Sequence, residues 1–530
     1  GRRKKMNNSN LPGREKDVRT VAGIAGALIL AKFLGIIRSA CMASAYGTGS
    51  EATAFHTASR IPLSFSDILF SAIILGCFIP VYSGFCVRDS DPEREREGSE
   101  FVSVFFTSFL LLSGLLSILG ILFAPGLISV IAPDLPEETA RLATVLLRIL
   151  LPVLTLVGST YTMVGILQSK GRFILPSLIS ATSNAIVILY FLVVNPMLGD
   201  RGIYGLAVTY LFSWVVQLLT LLVPLLRMRF RFRFLLSFRN EAFRKALRMM
   251  PPIVIGSWLA PVSLLIGTRF SSSLANPGAI TVFEYAVNIE TILSGILAYS
   301  ICNFIFPRLS RLHASGNTAG FADEARHSLT AGFALTLPVM AASVILAKEG
   351  TALLYFRGAF TAADLEETAN TLRILTLGIP AFCLSELISR MLYASGNPKP
   401  SMIASLSGIA TDLAVTGLLF TFPSVAESLS VGAVAIGYLS GLVVCVAIKL
   451  TVLFRTVPGL LTKPFLMQIL LLVLTAVLSG AVMALLFPLV AGNTYDILHC
   501  LWVCAAVAVP GFLVYFAGIR IFRIPRSRRS

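Results

Sequence analysis

Phe55-His56-Thr57-Ala58-Ser59-Arg60-Ile61 and Phe283-Glu284-Tyr285-Ala286-Val287-Asn288-Ile289 are related stretches, 228 residues apart. Further matches follow in order at shifts of 224–228. Phe78-Ile79-Pro80 aligns with Ile305-Phe306-Pro307, and Leu147–Leu150 with Leu372–Leu375. Leu167–Gly171 aligns with Leu392–Gly396, and each is followed by a Pro-Ser pair, Pro176-Ser177 and Pro400-Ser401. Gly205–Leu211 aligns with Ala433–Leu439. The chain is therefore read as a duplicated unit, and the surrounding sequence shows what the unit is made of.

Of the 530 residues, 56% are hydrophobic and 13% are charged, and the mean hydropathy is +0.82. A soluble domain carries about 25% charged residues. One soluble core cannot hide so much apolar surface, so lipid is the solvent for most of it. An ordinary soluble enzyme, a disordered chain and a small disulfide-stapled domain are all excluded. Fourteen apolar runs reach the ~20 residues that a spanning helix needs. They are Val21–Tyr46, Ile61–Val87, Phe101–Ile131, Ala140–Leu167, Ile174–Val194, Ile203–Leu226, Met249–Leu274, Ile280–Phe306, Leu329–Ala347, Leu372–Leu392, Met402–Phe422, Val431–Leu453, Phe465–Val490 and Ile497–Ile521. They lack the period-2 alternation of a membrane barrel, so the fold class is an all-α polytopic membrane protein.

The repeat shift spans six runs, an even number. The two copies are thus parallel, related by an axis along the membrane normal. The expected organisation is a basic cytoplasmic segment at 1–20, a six-helix bundle at 21–226 and a basic loop at 227–248. A second six-helix bundle at 249–454, two additional helices at 464–521 and a basic tail at 522–530 complete it. Two parallel bundles are a transporter architecture, and no filter-like segment points to a channel.

The net charge of +16 would suggest nucleic acid in a soluble protein. Here the cations fall on one side of a fourteen-span chain, in a ratio of about 31 to 4. The rich side holds Arg2–Lys5, the loop Arg227–Arg248, and the tail Arg520–Arg529; the poor side holds Arg60, Arg201, Lys348 and Arg357. Both termini are expected in the cytoplasm of a bacterial inner membrane, the basic loops setting orientation and touching anionic lipid, with no nucleic-acid partner. The eight cysteines lie in or near apolar runs and read as packing residues, and the four histidines are scattered. No metal site, catalytic triad or cofactor is indicated.

Ionisable groups inside spans cost about 2.5–3.5 kcal/mol to insert and mark function. Lys32 and Arg38 lie in the first span, Arg269 in the seventh, Glu284 and Glu290 in the eighth, Asp412 in the eleventh and Lys449 in the twelfth. Cations in the first bundle favour an anionic ligand, above all a phosphate or diphosphate that guanidinium can hold bidentately. Arg38 is far from the cytoplasmic edge and is the leading candidate; Lys32 either joins it or snorkels. Arg60, near the outer interface, either anchors the helix or meets ligand. Glu386 and Arg390 neutralise each other at i, i+4. Asp412 either couples transport to an ion or proton or bonds a neighbouring helix.

Phe33-Leu34-Gly35-Ile36-Ile37-Arg38, Tyr46-Gly47-Thr48-Gly49, Ala54-Phe55, Arg60-Ile61-Pro62 and Phe78-Ile79-Pro80 resemble the opening signature of the MurJ (MviN) lipid II flippases, of the MOP exporter superfamily. Pro307-Arg308-Leu309-Ser310-Arg311, Phe356–Thr361, Gly378–Phe382 and Ser389–Gly396 extend the resemblance through the second half. It implies movement of the undecaprenyl-diphosphate-linked peptidoglycan precursor from inner to outer leaflet by alternating access. It also implies a cationic cavity for the head group and a groove for the lipid tail near the two extra helices. Arg38, Lys32 and Arg60 match basic positions of the family, with Arg269 a possible substitute cation. Ser39, Thr53, Ser66-Asp67 and Val287-Asn288 stand where the family usually carries other charges. The expected partners are the lipid-linked precursor, membrane lipids and cell-wall synthesis proteins. Coupling to a cation or the membrane potential is compatible with the pattern. The competing readings are another MOP-type exporter of polyprenyl-linked oligosaccharide and a non-transporting scaffold for cell-wall synthesis.

Overall fold

The computed structural model describes residues 12–86, 92–228, 230, 232–492 and 494–521. The basic stretches 1–11 and 522–530, with Arg88, Arg229 and Arg231, lie outside the described residues. All regular structure among the described residues is helical. Eleven helical stretches are long and apolar enough to cross a membrane, or thirteen when two bent pairs, Glu241–Gly256 with Leu259–Ser271 and Ala362–Thr376 with Ile379–Ala394, are each taken as one span. The sequence reading of fourteen differs by one, and the difference lies in Ile174–Arg227. That stretch of 54 residues counts once by composition. It holds two apolar runs, in the helices Ile174–Leu189 and Gly202–Arg227, which pack against each other across a break at Gly199.

The repeat is visible in the backbone. Val153–Ser169 ends with Gly171 at φ 75°, and Ile379–Ala394 ends with Gly396 at φ 73°. In the first, Gly171 N–H bonds the Gln168 carbonyl and Arg172 N–H the Leu167 carbonyl, both at 2.9 Å. In the second, Gly396 bonds Tyr393 and Asn397 bonds Leu392, both at 3.0 Å. The two helices thus share a Schellman stop, which glycine makes without the Cβ penalty of a left-handed residue.

By contact, the chain divides into two compact units. The first comprises 1–41, 70–122 and 148–250. Its interior is aromatic: Phe78 meets Phe101 and Phe105 at ring distances of 5.4 and 4.8 Å, and Phe105 stacks on Phe109 at 4.5 Å. Gly158 lets the Val153–Ser169 helix approach the Phe70 ring, where a Cβ would come within 3.0 Å.

The second unit comprises 42–69, 123–147 and 251–530. The grouping cuts across the sequence repeats, because two segments of the first repeat pack with the second. Its tightest pair is Lys399–Phe420 on Val431–Thr456, where Gly408 and Gly441 bring backbones together; a Cβ on Gly408 would lie 2.8 Å from the Gly441 carbonyl oxygen. Small residues at such crossings are how helices associate in lipid. The two additional helices, Lys463–Val490 and Ile497–Ile521, pack on each other and on Thr318–Ile345. Their outward faces stay apolar, with Leu485, Leu489 and Leu498 exposed, as lipid solvation requires.

Candidate substrate-binding and gating residues

In the first unit, Arg38 lies two turns before the end of the Pro12–Tyr46 helix. Its Nη1 donates to Asn184 Oδ1 at 3.0 Å, and Asn184 Nδ2 donates to the Ala31 carbonyl at 3.0 Å. A single asparagine from the Ile174–Leu189 helix therefore orients the guanidinium and ties it to its own helix. The Tyr210 ring centre is 6.0 Å from the guanidinium carbon, within cation–π range. Arg38 is half-buried and forms no ion pair among the described residues. Most of its five fork-like N–H groups therefore remain for an anion. Lys32 is also half-buried, but six residues separate it from Arg38, which turns it about 120° around the helix. The two cations do not share a face.

Arg60 is in the second unit. It opens the π-helical turn Arg60–Phe65, which follows the helix Ser50–Ser59. Pro62 removes an N–H from the ladder there, and the Ser66 hydroxyl donates to the Pro62 carbonyl. In this structure Arg60 is buried and paired. It is 2% exposed; Nη1 pairs with Glu284 and Nε donates to Thr268 Oγ1 at 2.7 Å. Nη2 is buried without a hydrogen-bond partner among the described residues.

The Arg60–Glu284 pair belongs to a seam between the first-repeat segment 42–69 and the second repeat, all inside the second unit. Thr53 Oγ1 lies 3.0 Å from Thr281 Oγ1 and 3.3 Å from the Pro277 carbonyl oxygen. Tyr285 donates to the Gly47 carbonyl at 3.0 Å, and Ala359 N–H to the Ser44 carbonyl at 2.9 Å. Thr48 donates to Asp364 Oδ1 at 2.6 Å, while Asp364 Oδ2 accepts from Thr361 N–H at 2.8 Å in a capping box. Gly47 (φ 53°), Gly278 and Gly358 (φ 60°) allow this approach; a Cβ on any of them would strike backbone across the seam. The seam sits at the Thr281 end of the 36-residue helix Ala279–Ala314, with Arg308 and Arg311 near the other end.

Arg269 is exposed in the last turn of Leu259–Ser271, and its Nη1 donates to the Val130 carbonyl at 2.6 Å, near the C-terminus of the helix Ala124–Ile131. A cation there satisfies a free carbonyl and the helix dipole. Outside the spans, Lys348 pairs with Glu366 at 2.5 Å, and that bond raises the lysine above its ordinary range.

Asp412 is 1% exposed in Lys399–Phe420. Thr416 donates to its Oδ1 at 3.1 Å, and Oδ2 has no hydrogen-bond partner among the described residues. Gly437 and Gly441 of the neighbouring helix make room for it, since a Cβ on Gly437 would lie 2.8 Å from Oδ1. Nearby, Lys449 Nζ donates to Ser385 Oγ at 2.7 Å, Ser389 Oγ at 2.9 Å and the Ser385 carbonyl at 3.5 Å. Glu386 and Arg390 approach to 3.9 Å, the expected i, i+4 pair. Sequence reasoning assigned no role to Asn184, Thr268 or Glu284. The intramembrane charge of Glu284 was a signal; Asn184 and Thr268 gave none, because their meaning lies in what they touch.

The fold is shared with solved transporters of the MOP superfamily. A solved inward-facing MATE transporter of that superfamily shares the fold at a TM-score of 0.66, with 18% identity over 81% of this chain and 95% of that one. A solved lipid II flippase MurJ, in an inward closed conformation, aligns at a TM-score of 0.77, with 20% identity over 94% of this chain and 98% of that one. The family model described as lipid II flippase MurJ matches residues 42–502, and the chain belongs to that family. Among relatives, the probable lipid II flippase MurJ of Rhizobium meliloti (strain 1021) is 28% identical over 97% of this chain and 96% of its own length. That of Rickettsia prowazekii (strain Madrid E) is 24% identical over 73% and 75%.

Proposed function

We propose that this chain is a lipid II flippase of the bacterial inner membrane, moving the lipid-linked peptidoglycan precursor from the inner to the outer leaflet. Membership of the MurJ family over residues 42–502 carries this reading. Arg38 supports it: a guanidinium oriented by Asn184, with no carboxylate partner among the described residues, inside an apolar span suits a diphosphate. Both termini lie in the cytoplasm, as the cation asymmetry favours. Lys32 assists from a neighbouring face as the head group approaches, and Arg269 serves the fold.

The step is a change of access rather than bond chemistry, so the chain performs no catalysis. The seam around Thr53, Thr281 and the Arg60–Glu284 pair is the outer gate, which parts to release the head group. Parting frees the Arg60 guanidinium for the departing diphosphate. Asp412 is the coupling candidate; a charge crossing the membrane field is worth about 2.3 kcal/mol per 100 mV. Cell-wall synthesis proteins that consume the precursor outside are the expected partners.

The test is replacement of a host's own flippase by this chain, with lipid II on the outer leaflet as readout. Growth with restored outer-leaflet lipid II is expected. A well-expressed native chain that restores neither would overturn the lipid II reading, and an Arg38→Ala chain that restores both would overturn the site alone.

A further inference from the structure

The connection between Gly202–Arg227 and Glu241–Gly256 contains Arg229-Phe230-Arg231-Phe232-Arg233-Phe234-Leu235-Leu236-Ser237-Phe238-Arg239. Orientation in the membrane needs only the cations of such a loop. It does not need aromatics interleaved with them, nor a fixed conformation, and this loop has both.

The described part is irregular and fastened to the flank of the Pro92–Leu122 helix. Arg233 N–H donates to Ser103 Oγ at 3.4 Å and Leu235 N–H to Thr107 Oγ1 at 3.1 Å. Phe232 packs against Phe106 and Phe230, each at 5.0 Å between ring centres. Lys170 lies 5.4 Å from the Phe230 ring centre. Beyond Phe232 the apolar side chains are largely exposed: Phe234 is 80% exposed, Leu236 53% and Phe238 65%, the last touching the Phe243 ring with one side. The following helix buries Phe243 and Ala246 and turns Arg244, Lys245 and Arg248 outward. Arg244 donates to the Phe238 and Arg239 carbonyls, so the turn between strap and helix is also fixed.

Water is a poor solvent for Phe234 and Phe238, and hydrocarbon is a poor one for Arg233 and Arg239. The one layer that suits both is the membrane interface, where rings enter the acyl boundary and cations meet headgroups. The charge of the strap selects among headgroups. Exposed cations dominate it, with Glu100 and Glu241 as nearby acids, which favours an anionic phospholipid over a zwitterionic one.

We infer that the strap Phe232–Arg239, with the outward face of the following helix, is a preformed seat for anionic phospholipid, built by exposed aromatics held beside exposed arginines on a spanning bundle. It stands apart from Arg38 and is independent of which precursor the chain moves.

A fluorescent reporter tests it. Trp214, Trp258 and Trp502 are replaced by Phe, and Phe234→Trp is introduced in the full chain. The protein is reconstituted with brominated phosphatidylglycerol or brominated phosphatidylcholine at equal mole fraction. Quenching by the anionic lipid is expected to be at least about twofold stronger, and Arg233→Gln with Arg239→Gln should bring the two lipids level. Equal quenching by both lipids in the parent overturns the seat as anion-selective. Absence of quenching by either overturns its place at the membrane and points to a protein partner. A second measurement needs no substitution: amide exchange of the native chain in nanodiscs. Residues 230–248 should exchange more slowly with phosphatidylglycerol than with phosphatidylcholine alone, while the seam around Thr281 is unchanged. Identical exchange in both lipids overturns the inference.

Discussion

Thr53 and Thr281 occupy equivalent positions in the two sequence repeats, 228 residues apart, and their hydroxyls meet at 3.0 Å. Equivalent positions of the two repeats therefore meet directly at the seam. Both side chains are fully buried. Thr53→Val and Thr281→Val keep the shape and remove the bond, at a cost of about 1 kcal/mol each. Their effects should be non-additive in a double-mutant cycle read by thermal unfolding, since either one already breaks the contact. Strictly additive losses would mean that the hydroxyls do not bond.

The Arg60–Glu284 pair makes a sharper prediction. Arg60→Met or Glu284→Leu alone strands a charge beside buried neighbours, a loss of about 3–5 kcal/mol. The double substitution should recover much of that, because apolar replacement of a buried pair is often neutral. Thermal melting in detergent reports stability, and outer-leaflet lipid II reports function. The double variant should melt near the parent yet transport poorly, since the gate then offers no guanidinium to the departing head group. Normal transport by the folded double variant would reduce the pair to a structural role.

Arg38 and Asn184 separate charge from geometry. Arg38→Lys keeps the charge but loses the planar fork, so it should retain only part of the flipping activity. Arg38→Gln should retain almost none. Asn184→Ala leaves the guanidinium present but unoriented and unties it from Ala31. It should weaken binding of a soluble diphosphate analogue, while Arg38→Gln on top of it adds little. Independent, multiplying losses would show that Asn184 acts elsewhere.

Much of this was legible beforehand, for physical reasons. Apolar runs of twenty residues announce themselves because lipid tolerates nothing else. The Gly171 and Gly396 stops recur because only glycine serves a left-handed helix end cheaply. Arg38 stood out because intramembrane charge is costly. The pairing of Arg60 was not legible, because its partners arrive from 208 and 224 residues away. Arg269 has the charge of a ligand-binding group, but its nearest polar atom is a helix-end carbonyl. Long-range partners of this kind leave no local trace.

Asp412 offers a way to divide coupling from packing. Its carboxylate is enclosed by Thr416 and the backbones at Gly437 and Gly441, and one oxygen has no hydrogen-bond partner among the described residues. Gly437→Ala drives a methyl into the Thr416 hydroxyl and toward Oδ1; overpacking at such a crossing costs about 1–3 kcal/mol. That variant should lose melting temperature and activity together. Asp412→Asn preserves volume and still accepts the Thr416 bond, so it should fold. If the carboxylate carries the coupling charge, the Asn variant binds the diphosphate analogue as the parent does. Its transport in proteoliposomes then no longer responds to an imposed cation gradient or membrane potential. A buried acid that only bonds its neighbours predicts the reverse, a shifted melting temperature with the gradient response intact. The two readouts move in opposite ways, so one set of proteoliposomes decides between them.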